Sequence, residues 1–239
     1  MSYDFVPQRV AELRERVAVA AASAGRASDD VRLIAVTKTL PVQAVIAAAQ
    51  AGIADIGENY VQEAIGKQQA ACDALGARAA DELRWHMIGR VQSNKAGLAA
   101  RAFSFVHGVD SHSTVRAMAR AAPGAADLLV QIKLGGAAVR GGIDADHAEA
   151  FLREAAAHPG LRFVGVMAVA DPQRPSRPQF ARLRELCARL RGLQIERAPM
   201  TEISAGMSGD FEDAVAEGAT MIRIGTALFG SRRAARKEE

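Results

Sequence analysis

Residues 32–51 read RLIAVTKTLPVQAVIAAAQA, and this stretch decides the fold. Its first part, Arg32–Thr37, is a short apolar run rich in Ile and Val without clean polar and apolar alternation, the pattern of a strand covered on both faces. Lys38 closes the run, Pro41 suits a first helical position, and the alanine-rich segment to Ala51 reads as a helix. Strand, short loop and helix in that order are half of a βαβ unit, whose strands pair in parallel.

The same unit recurs along the chain. Candidate strands follow at Ala54–Gly57, Leu83–Ile88, Phe105–Val109, Leu128–Leu134, Arg162–Met167, Glu202–Ser204 and Met221–Ile224. Helical segments fill the gaps: Pro41–Ala51, Val61–Leu75, Asn94–Ala102, Ser113–Ala121, Asp146–Ala157, Pro178–Leu190 and Phe211–Glu217. Eight strands with no surplus sequence favour a closed (β/α)8 TIM barrel of the α/β class over an open doubly wound sheet. The 239 residues are close to the ~250 that such a barrel takes. An additional N-terminal helix, Pro7–Ser23, is available to cover the open bottom. No linker divides residues 1–239, so they read as one domain, with PQRPSRP at 172–178 as a loop and a charged, flexible tail from about 231 to 239.

Composition excludes several classes. With 49% hydrophobic and 24% charged residues the chain can build a core and is not a disordered one. A formal charge of +3 without a basic stripe gives no reason to expect nucleic-acid binding. The opening MSYDFVPQRVAELRERV has no apolar h-region, and no apolar run reaches the ~18 residues of a membrane span. Cys72 and Cys187 are far apart and lack metal-ligand spacing, which suits reduced thiols in a cytoplasm and predicts no metal site.

In a barrel, chemistry belongs at the C-terminal ends of the strands, and Lys38 is there. The chain has five lysines among 30 basic residues, and an arginine-rich protein that places lysine at a strand end has a use for an amine able to lose its proton. Schiff-base formation is one such use; a lysine snorkelling to solvent is the plainer alternative. After strands seven and eight come SAGMSGD and Arg223-Ile224-Gly225-Thr226, with hydroxyls at Ser204, Ser208 and Thr226. Those two loops commonly bind phosphate in barrel enzymes, although Gly and Ser are also ordinary turn residues. Arg223 lies among Met221, Ile222 and Ile224, so its guanidinium needs a buried partner, either an internal salt bridge or a cofactor acceptor. Asn59, Tyr60, His86, Gln92, Asn94 and Lys95 are candidates to line the mouth, with Asn94 equally suited to a helix cap.

Taken together, AVTKTL, GENYVQEA, WHMIGRVQSNK, GVMAV, SAGMSGD and IRIGTALFG, in that order, closely resemble the pyridoxal phosphate homeostasis proteins, the YggS family, from about Asp4 to Gly230. The resemblance implies a fold-type III barrel like the N-terminal domain of alanine racemase, with pyridoxal 5'-phosphate (PLP) held as an aldimine on Lys38. It further implies Ser204, Gly225 and Thr226 at the phosphate, Arg223 facing the pyridine nitrogen, Asn59 beside the ring, and Met167 and Ser208 as additional contacts. The implied role is storage and delivery of PLP, with free PLP kept low and apo PLP-dependent enzymes as recipients, by a monomer or weak homodimer without robust catalytic activity. An amino-acid racemase is the alternative, and a phosphate-binding barrel without PLP is a third. A racemase needs a second acid or base opposite Lys38, for which only Tyr60 and His86 are candidates, and the 15 residues from Gly225 to Glu239 leave no room for the racemase's second domain. One segment departs from the family: QIKLGGAAVRGGI places Lys133, Ala137 and Arg140 where Asn, Glu and Lys are usual, removing a negative group near the mouth.

Overall fold

The computed structural model describes residues 2–121, 124, 126–135 and 141–231. Ala137 and Arg140 of the strand-five loop and residues 232–239 of the tail lie outside the described residues. Eight parallel strands close into a barrel in chain order: β1 Arg32–Val36, β2 Asp55–Glu58, β3 Arg84–Met87, β4 Phe105–Val109, β5 Asp127–Gln131, β6 Arg162–Met167, β7 Glu202–Ser204 and β8 Met221–Ile224. The helices are α1 Val6–Ser23, α2 Val42–Gln50, α3 Val61–Leu75, α4 Ala77–Asp81, α5 Ala96–Ala102, α6 His112–Ala121, α7 Ala148–Ala156, α8 Ser176–Gly192, α9 Phe211–Ala216 and α10 Thr226–Phe229. Among the described residues no helix is long and apolar enough to cross a membrane.

Two apolar regions follow from the alternation of side chains along each strand. One lies between the outer face of the barrel and the helices; the other, Ile34, Phe105, Leu129, Val164, Met167 and Met221, fills the bore. Helix α1 buries Val6, Val10, Leu13, Val17 and Ala20, a stripe at alternating four- and three-residue steps, together with Ala21 beside it. That stripe packs against α2, α9 and α10. The expectation that this helix covers the bottom is therefore corrected. Among the described residues β8 is followed by the four-residue α10, and α1 takes the place in the outer ring that a longer eighth helix would occupy.

Three local departures from expectation have physical causes. Pro41 is the cap preceding α2 rather than its first residue, with extended backbone (ψ 165°). Strand β5 stops at Gln131 because Ile132 pairs with Ile143 of its own loop. Helix α4 gave no signal because none of its residues is buried. Between β5 and β6 the register slips where Leu128 pairs Phe163 and Leu129 pairs Gly165. A Cβ on Gly165 would lie 1.8 Å from the Glu202 carbonyl oxygen, so the close approach of β6 to β7 requires glycine there.

Candidate functional site

Lys38 stands half-buried in the turn that leaves β1, and the residues on either side of it are tied down. The Thr37 hydroxyl donates to Glu58 Oε1 (2.6 Å), and its carbonyl accepts from Lys67 Nζ (2.7 Å). Lys67, buried on α3, also donates to Glu58 Oε1 (2.7 Å) and Glu63 Oε1 (2.6 Å), so all three ammonium donors are used. Glu63 Oε1 in turn accepts from the Thr39 N–H (2.6 Å). Burial pushes the Glu58 carboxyl up, against the opposing pull of Lys67 and Thr37. Thr39 has φ 62°, a left-handed conformation that costs a β-branched residue about 1–2 kcal/mol. The end of β2 and the first turns of α3 thus hold the lysine-bearing turn in a shape the local sequence does not favour.

Arg223 lies deeper, on the adjacent strand. Its register partner is Ile34, whereas Val36 of β1 pairs with Gly57 of β2, which brings Asn59 alongside Lys38 at the rim. The Arg223 guanidinium is buried and donates to Ser204 Oγ (2.7 Å) and the Ala168 carbonyl (3.0 Å). Among the described residues it makes no ion pair, so the internal salt bridge weighed from sequence is not formed. Burial in this setting pushes its pKa down to about 10, with Asp210 the charge that opposes the shift. Even so the group is cationic at neutral pH.

The loops after β7 and β8 are stitched together by the Ala227 N–H, which donates to Ser208 Oγ (3.0 Å). Gly225 is half-buried and Thr226 exposed beside them. Gly206 in the first loop has φ 91°, and a Cβ there would meet Ala214 Cβ at 2.7 Å, so the path of this loop requires glycine. A Cβ on Gly225 would meet only Val36, at an ordinary 3.5 Å. Met167 ends β6 in the bore. Asn59 Oδ1 is buried without a hydrogen-bond partner, an orphan of the kind a ligand completes. An amine at the rim, a guanidinium below it, two joined loops with hydroxyls and an unsatisfied amide fit a phosphorylated pyridine aldehyde.

The structure gathers Lys38, Asn59, Met167, Ser204, Ser208, Arg223, Gly225 and Thr226 at the C-terminal end of the barrel. Ser204, expected at a phosphate, has its hydroxyl engaged by Arg223 and by His107 Nδ1 (2.8 Å). His86 does not line the mouth as expected: it is fully buried in the bore, with its ring nitrogens 3.0 Å from His107 Nε2 and 2.8 Å from Asp55 Oδ1. Tyr60 is exposed at the rim, as are Gln92 and Asn94, with Lys95 half-buried. Neither the turn at 93–95 nor α5 has a side-chain cap, so Asn94 is not the cap it resembled. Sequence reasoning missed Glu58, Lys67, Asp55 and His107. The Glu63 and Lys67 spacing within α3 was the one available signal, and it also reads as an ordinary surface pair.

A closed barrel carrying a lysine after its first strand and an arginine on its eighth defines a class. The family model for the alanine racemase N-terminal domain matches residues 9–233. Within that class the similarities are narrower. A pyridoxal phosphate homeostasis protein of Pseudomonas aeruginosa is 38% identical over 233 residues, 95% of this chain and 96% of its own length. One from Escherichia coli K12 is 34% identical, covering 97% and 99%. The chain belongs to the pyridoxal phosphate homeostasis protein family. PipY of Synechococcus elongatus, solved with PLP bound, is 35% identical with a TM-score of 0.80, covering 94% of this chain and 100% of that one. The alanine racemase of Corynebacterium glutamicum, at 18% identity and TM-score 0.65, shares the fold over 62% of its length.

Proposed function

We propose that this chain holds PLP at the mouth of its barrel, attached through Lys38 Nζ with Arg223 facing the pyridine nitrogen. Its role on this reading is to store the cofactor, limit its free concentration and deliver it to apo PLP-dependent enzymes. The observation that carries the reading is the placement of a lysine on a braced rim turn above a buried guanidinium on the neighbouring strand. The relatives' shared description and the PLP-bound PipY structure support it. Ser208, Gly225 and Thr226 are assigned to the phosphate, Asn59 to the ring edge and Met167 to the apolar floor. Ser204, expected at the phosphate, acts with its hydroxyl by holding Arg223 beneath the ring nitrogen.

PLP supplies an aldehyde that condenses reversibly with amines and a ring that, when protonated, withdraws electrons. Arg223 bears on the second property. A guanidinium donates hydrogen bonds and keeps its own proton, so it leaves a pyridine nitrogen unprotonated. Of the two candidates for a second acid or base, His86 is removed, since both its ring nitrogens are engaged in the bore, and Tyr60 stands exposed at the rim. Alanine racemase tolerates such an arginine, so it is the loss of His86 as a candidate that supports storage over amino-acid racemisation.

Borohydride reduction of PLP-loaded protein followed by tryptic digestion tests the assignment. A pyridoxyl group on Lys38 blocks cleavage there, and the next basic residue is Lys67, so the adduct appears on an uninterrupted 33–67 peptide and disappears in Lys38→Ala. An unmodified Lys38 peptide from reduced protein overturns the reading. Incubation with L-alanine or L-serine yields no D-isomer; sustained turnover that Lys38→Ala abolishes restores the racemase alternative.

A further inference from the structure

Below Arg223 a continuous polar path runs through the bore to the opposite end of the barrel. From the top, Arg223 Nη1 meets Ser204 Oγ at 2.7 Å, Ser204 Oγ meets His107 Nδ1 at 2.8 Å, His107 Nε2 meets His86 Nδ1 at 3.0 Å, and His86 Nε2 meets Asp55 Oδ1 at 2.8 Å. Arg84 closes the lower end on Asp55 with contacts of 2.8 and 2.6 Å. Asp55 and Arg84 border a cavity of about 450 Å³ at the N-terminal mouth, shared with Arg14 and Asp29. Ser204, His86 and His107 are fully buried. The Phe105 ring stacks on His86 at 4.7 Å. Side chains of five strands meet in this chain, and the PLP assignment leaves Asp55, His86 and His107 without a role.

The two ends fix every proton between them. A guanidinium only donates and a carboxylate only accepts. Hydrogen bonds from His86 and Arg84 outweigh burial at Asp55 and hold its carboxyl down to about 2, so it is ionised. Burial pushes both imidazoles down, His107 the further, with Arg32 adding to the shift of each, Arg84 to that of His86 and Arg223 to that of His107. Two neutral rings then have one arrangement: His86 Nε2–H donates to Asp55, His107 Nε2–H donates to His86 Nδ1, and the Ser204 O–H donates to His107 Nδ1. Ser204 is left to present its lone pairs to Arg223. The reverse arrangement requires an imidazolium inside the barrel, which burial opposes.

We propose that Asp55, His86 and His107 are positioning residues for Arg223, holding its guanidinium through Ser204 in the one orientation that serves a pyridine-type nitrogen above it. Hydrogen bonds aligned head to tail polarise one another in a low-dielectric interior, so the Asp55 charge strengthens the Ser204 acceptor from the far side of the barrel. The inference rests on the PLP reading for the identity of the ligand, while the proton arrangement stands apart from it.

Two measurements test it. In the wild-type full-length protein at pH 7, long-range ¹H–¹⁵N correlation spectra give the tautomers: His86 and His107 are both neutral with the proton on Nε2, and a doubly protonated ring or an Nδ1–H overturns the relay. In PLP-loaded His107→Leu and in Asp55→Asn, altered far from the cofactor, the adduct at Lys38 still forms, but the visible absorption band shifts and PLP release quickens by about tenfold, the equivalent of one hydrogen bond. Folding of each variant is checked by circular dichroism. If His107→Leu does not fold, Asp55→Asn decides. A folded variant with the wild-type band and release rate overturns the inference. Absence of any Lys38 adduct in the wild type is instead a failure of the PLP reading, and the spectra tell the two apart.

Discussion

The rim turn that bears Lys38 and the bore that bears Arg223 solve opposite problems. At the rim, charge braces a backbone: Lys67, Glu58 and Glu63 hold Thr37 and Thr39 in place, and one of those residues has a strained φ of 62°. In the bore, neutral groups brace a charge, since Arg223 rests on a hydroxyl and a carbonyl while the nearest ionised member of its relay, Asp55, lies three hydrogen-bonded groups away. A covalent carrier needs both. The amine has to be reachable by an incoming aldehyde or amine, whereas the group that reads the ring has to stay fixed and dry. The comparison shows how one barrel separates those demands by depth.

The largest expected effect strikes the rim. Lys67→Met leaves the Glu58 carboxylate buried without its cation, and Glu58 has no exposed side-chain surface to fall back on. Removing one partner of a buried pair typically costs about 3–5 kcal/mol. Urea unfolding measures this loss, which Glu58→Gln in the Lys67→Met background partly restores. A loss below about 1 kcal/mol would mean that water reaches the pair and that the rim is not braced as described.

Proton linkage separates the two regions by sign. His86, His107 and Asp55 titrate below their usual values. The unfolded chain therefore takes up protons first, and the stability these groups give at neutral pH is lost as pH falls, below ~6.5 for the histidines and from ~4 towards 2 for Asp55. The Asp55 displacement alone, to about 2, corresponds to on the order of 2 kcal/mol. At the rim the raised Glu58 works the other way: its folded form holds a proton the unfolded chain has already released, so its contribution is lost as pH rises through the folded value. Asp210, in the loop after β7, shares that sign. Urea midpoints recorded from pH 7.5 to 3.5 fall as the histidines charge, and the decline is steeper in Glu58→Gln, which lacks the opposing group. A flat profile between pH 7 and 5 in Glu58→Gln contradicts the neutral histidine pair.

The two regions were also unequally legible. Apolar runs without alternation, such as FVGVM and LLVQI, marked the strands because both their faces are buried, and Lys38 was visible because it ends one of those runs. Arg223 stood out for the contrast with its neighbours. Its support did not, because the relay joins residues 21, 31 and 97 positions apart, and only closure of the barrel brings them together. His107 in FVHGV reads alone as any core histidine. His86 looked like a mouth residue because it is near a strand end, yet its ring is buried in the bore between His107 and Asp55. Lys67 has the spacing of a surface partner of Glu63, yet its ammonium is buried against the carbonyl of Thr37, 30 positions away.

The smallest expected effect sharpens the contrast in backbone. The loop after β7 meets its left-handed position with glycine, Gly206, whereas the turn at Lys38 meets its own with threonine. Thr39→Gly removes the steric cost of the left-handed conformation but frees the unfolded chain and gives up the hydroxyl contact to the Lys38 carbonyl (2.6 Å). Those terms nearly cancel, and the net gain in stability is at most about 1 kcal/mol by thermal melting. The sharper readout is the rate at which Lys38 takes up PLP. If strain holds the turn in a receptive shape, relaxing it slows uptake while Glu63 still accepts the residue 39 N–H. An unchanged rate assigns the bracing wholly to Lys67 and its carboxylates.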